Sequence, residues 1–133
     1  MDFAQIPIHG SKMTSPQISR EKLIKVYSNI ALQYFPPDGK KVKISNLFME
    51  IRTHRIILED KSDPSRYFEI HFDRLVNEPQ PLQRGLWRKE VYKLAVTYTP
   101  LFVFELKDAN RGNFEEQFNL FRQSFRDSQA IVV

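Results

Sequence analysis

A chain of 133 residues is the size of one domain and can bury a core without disulfides or bound metal. It holds eleven Phe and no Cys, which excludes disulfide scaffolds, thiol catalysis and cysteine-ligated zinc. The net charge of +4 is compatible with anionic partners but selects none. No apolar run approaches the roughly 20 residues of a membrane span, and no signal-peptide pattern opens the chain, so a soluble cytoplasmic protein is expected.

Residues 1–19 keep no sustained period and carry Pro7, Gly10 and Pro16, which predicts an irregular arm. From Ile24 to Tyr34 the even positions are mostly apolar, the mark of a half-buried strand with Ile24, Val26, Ile30, Leu32 and Tyr34 inward. Pro36-Pro37-Asp38-Gly39 ends it with turn chemistry. Strand character resumes at Val42, where Leu47, Met49 and Ile51 alternate with Phe48, Glu50 and Arg52. Thr53-His54-Arg55 forms a corner ahead of Ile56-Ile57-Leu58, and Asp60 to Ser65 reads as a loop.

Phe68, Ile70 and Phe72 alternate with Tyr67, Glu69 and His71 in a further strand. Val76 to Gly85, with Pro79, Pro81 and Gly85 at its end, is the longest predicted internal loop. Tyr92, Leu94, Val96 and Tyr98 share one strand face, and Phe102, Phe104 and Leu106 share the next, with Pro100 at the corner. Phe114, Phe118, Phe121 and Phe125 then follow at spacings of four, three and four, which places all four rings on one helical face. The helix is expected to start at Asn113, with Asn113 and Glu116 as a capping box. Glu115 and Glu116 suit the positive end of its dipole.

Strands at hairpin-like spacing closed by one amphipathic helix predict an α+β, mainly β architecture. The layout is pleckstrin-homology-like: a bent antiparallel sheet or split barrel capped by a C-terminal helix. The domain is expected to span 20–128, with a tail over 129–133. Asn46 to Leu58, with Thr53-His54-Arg55 at its centre, resembles the second and third strands of GLUE and GRAM domains. Leu101 to Arg111, running into Phe114-Glu115, resembles that family's last strand and helix entry. The GLUE domain of the ESCRT-II complex is the nearest match in pattern.

The resemblance implies a non-catalytic module of endosomal sorting that recognises ubiquitin or phosphoinositide headgroups. It would be peripheral at endosomal membranes, either as a monomeric domain or within a larger complex. Arg84, Arg88 and Lys89, with Trp87 beside them, are the expected headgroup site, because Arg forks grip phosphate and an indole suits the bilayer interface. Lys40, Lys41 and Lys43 form a second basic patch behind the first turn. Leu120, with Gln117 and Gln123, lies off the Phe stripe and is the expected ubiquitin or partner surface. The alternative is a protein-docking module that binds acidic peptides in a transcription or repair assembly. No nucleophile elbow, metal-ligand spacing or glycine-rich phosphate loop is present, so no catalysis, metal or cofactor is expected. Lys/Arg clusters interleaved with exposed aromatics are also missing, which argues against nucleic acid.

Overall fold

The computed structural model describes residues 6–10, 21–36, 39–82, 93–99 and 102–130. Among these, the alternating segments form seven strands: β1 Leu23–Tyr34, β2 Val42–Arg52, β3 Arg55–Asp60, β4 Asp63–His71, β5 Gln80–Leu82, β6 Lys93–Thr99 and β7 Phe102–Asp108. One helix follows, α1 Phe114–Ala130. The strands make a single open antiparallel sheet in the order β4-β3-β2-β1-β7-β6-β5. One sheet face carries the core, including Leu32, Met49, Leu58, Phe68, Val96 and Phe104, all fully buried. α1 adds Phe121, also fully buried, whose ring meets Phe72 edge-on at 6.2 Å. Phe114, Phe118 and Phe125 are partly buried against the same cluster.

β1 departs from the predicted alternation. Tyr27 turns inward, and so does Ile30, three residues on, while Ile24 and Val26 are 42% and 46% exposed. The cause is Asn29, whose φ of +59° inserts an extra residue opposite β2. β2 answers with Asn46 at φ +60°, and its inward residues step from Ile44 to Leu47. The β1–β2 register shifts between Tyr27 and Ile30 and back between Ile30 and Leu32, so the Lys25–Tyr27 pairing and the pairing from Leu32 on share one register; a further shift lies between Leu23 and Lys25. Asn is among the few side chains that tolerate this left-handed conformation. Asn46→Gly is expected to keep stability within about 1 kcal/mol, whereas Asn46→Val, β-branched at positive φ, should lose about 1–3 kcal/mol; urea midpoints of the two variants check this.

The corners also differ from the sequence pattern. Thr53 bonds across the sheet rather than locally: its N–H donates to the Lys22 carbonyl at 3.0 Å, and its hydroxyl accepts from the Lys22 N–H. Arg55 is buried between Glu21 at 3.1 Å and Glu69 at 2.7 Å, so the Thr-His-Arg corner fastens the start of β1. The expected Asp60–Ser65 loop shrinks to a turn at Lys61-Ser62. Asp60 and Asp63 accept from the backbone N–H groups of Ser62 and Ser65, and pairing resumes at Asp63. The long Val76–Gly85 loop contains β5, and Pro81 is tolerated there because β5 is a sheet edge.

The helix entry is organised by Asp108 rather than by Asn113 as N-cap. Buried Asp108 accepts from the Asn110 N–H, the Asn113 amide and the Gln117 amide. Asn110 caps a short 3-10 turn, Arg111–Asn113, that leads into α1. The N-terminal arm is irregular in backbone over residues 6–10 but is docked: Ile6 and Ile8 are core residues. The Glu69 N–H donates to the Ile8 carbonyl at 2.7 Å and the Gly10 N–H to the Tyr67 carbonyl at 2.9 Å, which covers the edge of β4.

Two tyrosines give the fold an alkaline limit. The Tyr27 hydroxyl donates to Glu116 on the first turn of α1. Burial, then that bond, raises its pKa well above the usual phenol range. Burial, then the Glu69 charge, does the same to Tyr67. Above pH about 10 the unfolded phenols lose their protons while the native ones keep them, so rising pH favours unfolding. The melting temperature is expected to fall between pH 9 and pH 11, and to fall less in Tyr27→Phe.

Candidate anion-binding site

The outer face of the sheet, opposite the core, has the chemistry of a binding surface. Strand alternation turns Lys43 of β2, Gln33 and Ala31 of β1, Glu105 and Lys107 of β7, and Lys93 of β6 to this side, with Lys41 just ahead of β2. Cross-strand pairing then sets Lys43 beside Gln33, Gln33 beside Glu105, and Ala31 beside Lys107. Lys107 is also directly opposite Lys93, a like-charge pair that costs stability in an antiparallel sheet. Two adjoining recesses share Ala31, Lys43 and Lys107. The larger, about 450 Å³, is completed by Asn29, Ser45, Asn46, Ala109 and Arg111. The smaller, about 90 Å³, is completed by Gln33, Lys41, Lys93 and Glu105. The groove exists because its floor is built from small residues, Ala31, Ser45 and Ala109, while long basic side chains form its walls.

Its charges are unbalanced. Glu105 is the lone carboxylate lining either recess, and it is already engaged by the Gln33 amide at 3.1 Å and Lys93 at 3.4 Å. Lys41, Lys43 and Lys107 make no ion pair among the described residues. By contrast Arg52, Arg55, Lys61, Arg66, Arg122 and Arg126 all pair with carboxylates. A face of unneutralised ammonium groups attracts anions and steers them in. Among the described residues no group of three or more His, Asp or Glu is arranged to hold a metal ion. No helix there is long and apolar enough to cross a membrane.

The expected site residues separate. Arg84, Trp87, Arg88 and Lys89 lie outside the described residues. Lys40, Lys41 and Lys43 are exposed behind the β1–β2 turn, and Lys41 and Lys43 line the groove. Of Gln117, Leu120 and Gln123 on α1, only Gln123 is exposed, and its amide bonds to Asp127 at 2.8 Å. Gln117 is corrected: it is buried, its amide is spent on Asp108, and it presents nothing to a partner. Leu120 is half-buried against the core, so it is a packing residue with one exposed side.

Sequence reasoning missed Lys93, Lys107, Arg111 and the two bulge asparagines. The asparagines carried a signal, since Asn is disfavoured in strands and Asn46 also interrupts the Val42–Ile44 alternation. Lys107 is the outward residue after Leu106, but its neighbours depend on the distant β1–β7 pairing.

No family model matches the sequence, and no curated protein matches it. Solved structures do resemble the fold. The Vps36 N-terminal PH domain is 13% identical, with a TM-score of 0.63 over 84% of this chain and 83% of that one. The C-terminal PH domain of human pleckstrin is 14% identical, with a TM-score of 0.57 over 88% of this chain and 90% of that one. The PDZ-RhoGEF DH/PH domains in complex with GTP-gamma-S activated RhoA are 11% identical at TM-score 0.56; 85% of this chain is covered but only 32% of that one. At such identities the likeness is one of architecture: an antiparallel sheet of seven strands closed by a C-terminal helix is the pleckstrin-homology-like fold.

Proposed function

We propose that this domain is a non-catalytic docking module that seats on an anionic membrane by taking a phosphoinositide headgroup into its outer-face groove. The observation that carries the reading is the set of lysines without an ion pair among the described residues, Lys41, Lys43 and Lys107, converging over a floor of small residues. Each such cation near an anionic bilayer surface contributes about 1 kcal/mol. Three of them, with Lys93 and Arg111 beside them, suffice for reversible peripheral binding. An endosomal sorting role rests on the sequence resemblance of the Asn46–Leu58 segment to GLUE domains and on the fold likeness to the Vps36 domain.

The test is flotation of the whole chain with neutral, phosphatidylserine and phosphoinositide vesicles at two salt concentrations. Salt-sensitive recruitment to the phosphoinositide vesicles is expected. Binding to a soluble acidic peptide without any vesicle recruitment would replace this reading with protein docking, and retention by ubiquitin alone would move the site to α1.

A further inference from the structure

The larger recess holds a more specific site than a basic surface requires. We propose that the twin-bulge end of the groove is a discrete subsite for a phosphomonoester group. Lys43, Lys107 and Arg111 are its cations, and Asn29 and Asn46 are its uncharged donors. The inference rests on the anion-docking reading above and assigns that site its chemistry.

The first argument is the bulges themselves. Two neighbouring strands each adopt a left-handed residue, Asn29 at φ +59° and Asn46 at φ +60°, and the two register shifts cancel. From Lys25 to Tyr27 and from Leu32 to Tyr34 the ladder is paired as it would be with neither bulge. Besides switching the inward parity of both strands together, they interrupt the ladder and form a pocket lined by both asparagines. Bulges of this kind re-aim side chains next to functional sites.

The second argument is charge. The lining of this recess contains Lys43, Lys107 and Arg111 and no carboxylate. Asp108, adjacent in sequence, is buried and engaged by three donors from the helix entry. Glu105 lines the smaller recess, held by Gln33 and Lys93. A phosphomonoester carries roughly −1.5 to −2 charge and three acceptor oxygens, which matches the two lysines, with Arg111 and the amides beside them. A phosphodiester or one carboxylate brings a single charge and leaves the lysines under-matched. The volume of about 450 Å³ is that of a small-ligand pocket, about 300–1,000 Å³, and suits a compact phosphorylated group better than an extended peptide.

The test is an NMR titration of the ¹⁵N-labelled whole chain with a soluble inositol trisphosphate, inorganic phosphate and glycerophosphoinositol, a diester. Saturable shifts are expected at the Asn29, Ser45, Asn46, Lys107 and Ala109 amides with the first two ligands, and none with the diester. Lys107→Ala should weaken the trisphosphate about tenfold, the loss of one charge-assisted contact. Asn46→Gly, which keeps the positive φ, should weaken it several-fold and leave the remaining spectrum in place. Equal response to monoester and diester, or shifts confined to Lys40 and Lys41 with Lys107→Ala silent, would overturn the subsite.

Vesicles separate the sources of the phosphate. Preference for phosphoinositide over charge-matched phosphatidylserine supports the subsite and makes its ligand a lipid headgroup. Soluble ester bound without vesicle recruitment supports the subsite and removes the membrane reading. Vesicle binding indifferent to the monoester overturns the subsite and keeps the membrane reading.

Discussion

Phe121→Ala lowers the unfolding free energy by about 3–5 kcal/mol. The ring is fully buried and meets Phe72 edge-on, at the point where α1 closes over the open sheet. Neighbouring rings cannot collapse into the void without moving the helix, because buried Asp108 ties its first turn to the end of β7. A domain of this size is stable by only about 5–15 kcal/mol, so the variant should be brought near its unfolding threshold. Phe125→Ala serves as the comparison: that ring is partly buried, and its removal should cost clearly less. Urea denaturation followed by far-UV circular dichroism measures both. A loss below about 1 kcal/mol for Phe121→Ala would mean that α1 is not the closing element of the core.

The second large effect is on binding. Reversing Lys41, Lys43 and Lys107 together to Glu is expected to abolish recruitment to anionic vesicles. Removing the attraction alone costs about 1 kcal/mol per lysine, roughly a hundredfold in affinity for three, and the new carboxylates add repulsion. All three side chains are exposed and make no ion pair among the described residues, so the fold should not suffer. Relieving the Lys93–Lys107 opposition should even leave stability slightly higher. Thermal melting of the triple variant separates the two effects: unchanged or slightly raised melting with lost flotation is the expected pair. Retained flotation would move the interface away from this sheet face.

The strands and helix were legible where one period ruled a whole segment. Phe102, Phe104 and Leu106 of β7 all point inward as their alternation predicts, as do Leu94, Val96 and Tyr98 of β6. β1 departs from its alternation because a bulge at Asn29 reverses the inward parity halfway along, which a fixed period of two cannot follow. The loop after Asp60 was overestimated because two aspartates satisfy backbone N–H groups through their side chains and let pairing restart early. The helix was recognised from its Phe spacing, but its entry depends on Asp108, whose partners lie up to nine residues on.

The site was less legible than the fold. Lys41 and Lys43 stood out as a run, yet the groove takes its shape from Ala31 and Ala109 and further charge from Lys93, Lys107 and Arg111. These residues sit on four strands and the helix entry, and they meet only through long-range register. Gln117 reads as surface from sequence because its helical position is off the Phe stripe. The buried carboxylate that claims it comes from another element.

The most direct test of the outer-face groove is to map the membrane-bound surface itself. ¹⁵N spectra of the whole chain would be recorded with lipid nanodiscs that contain or lack phosphoinositide. The account predicts selective broadening at Ala31, Gln33, Lys41, Lys43, Lys93 and Lys107 with the phosphoinositide discs alone. Broadening centred on α1 around Gln123, with the outer sheet face unaffected, would contradict it.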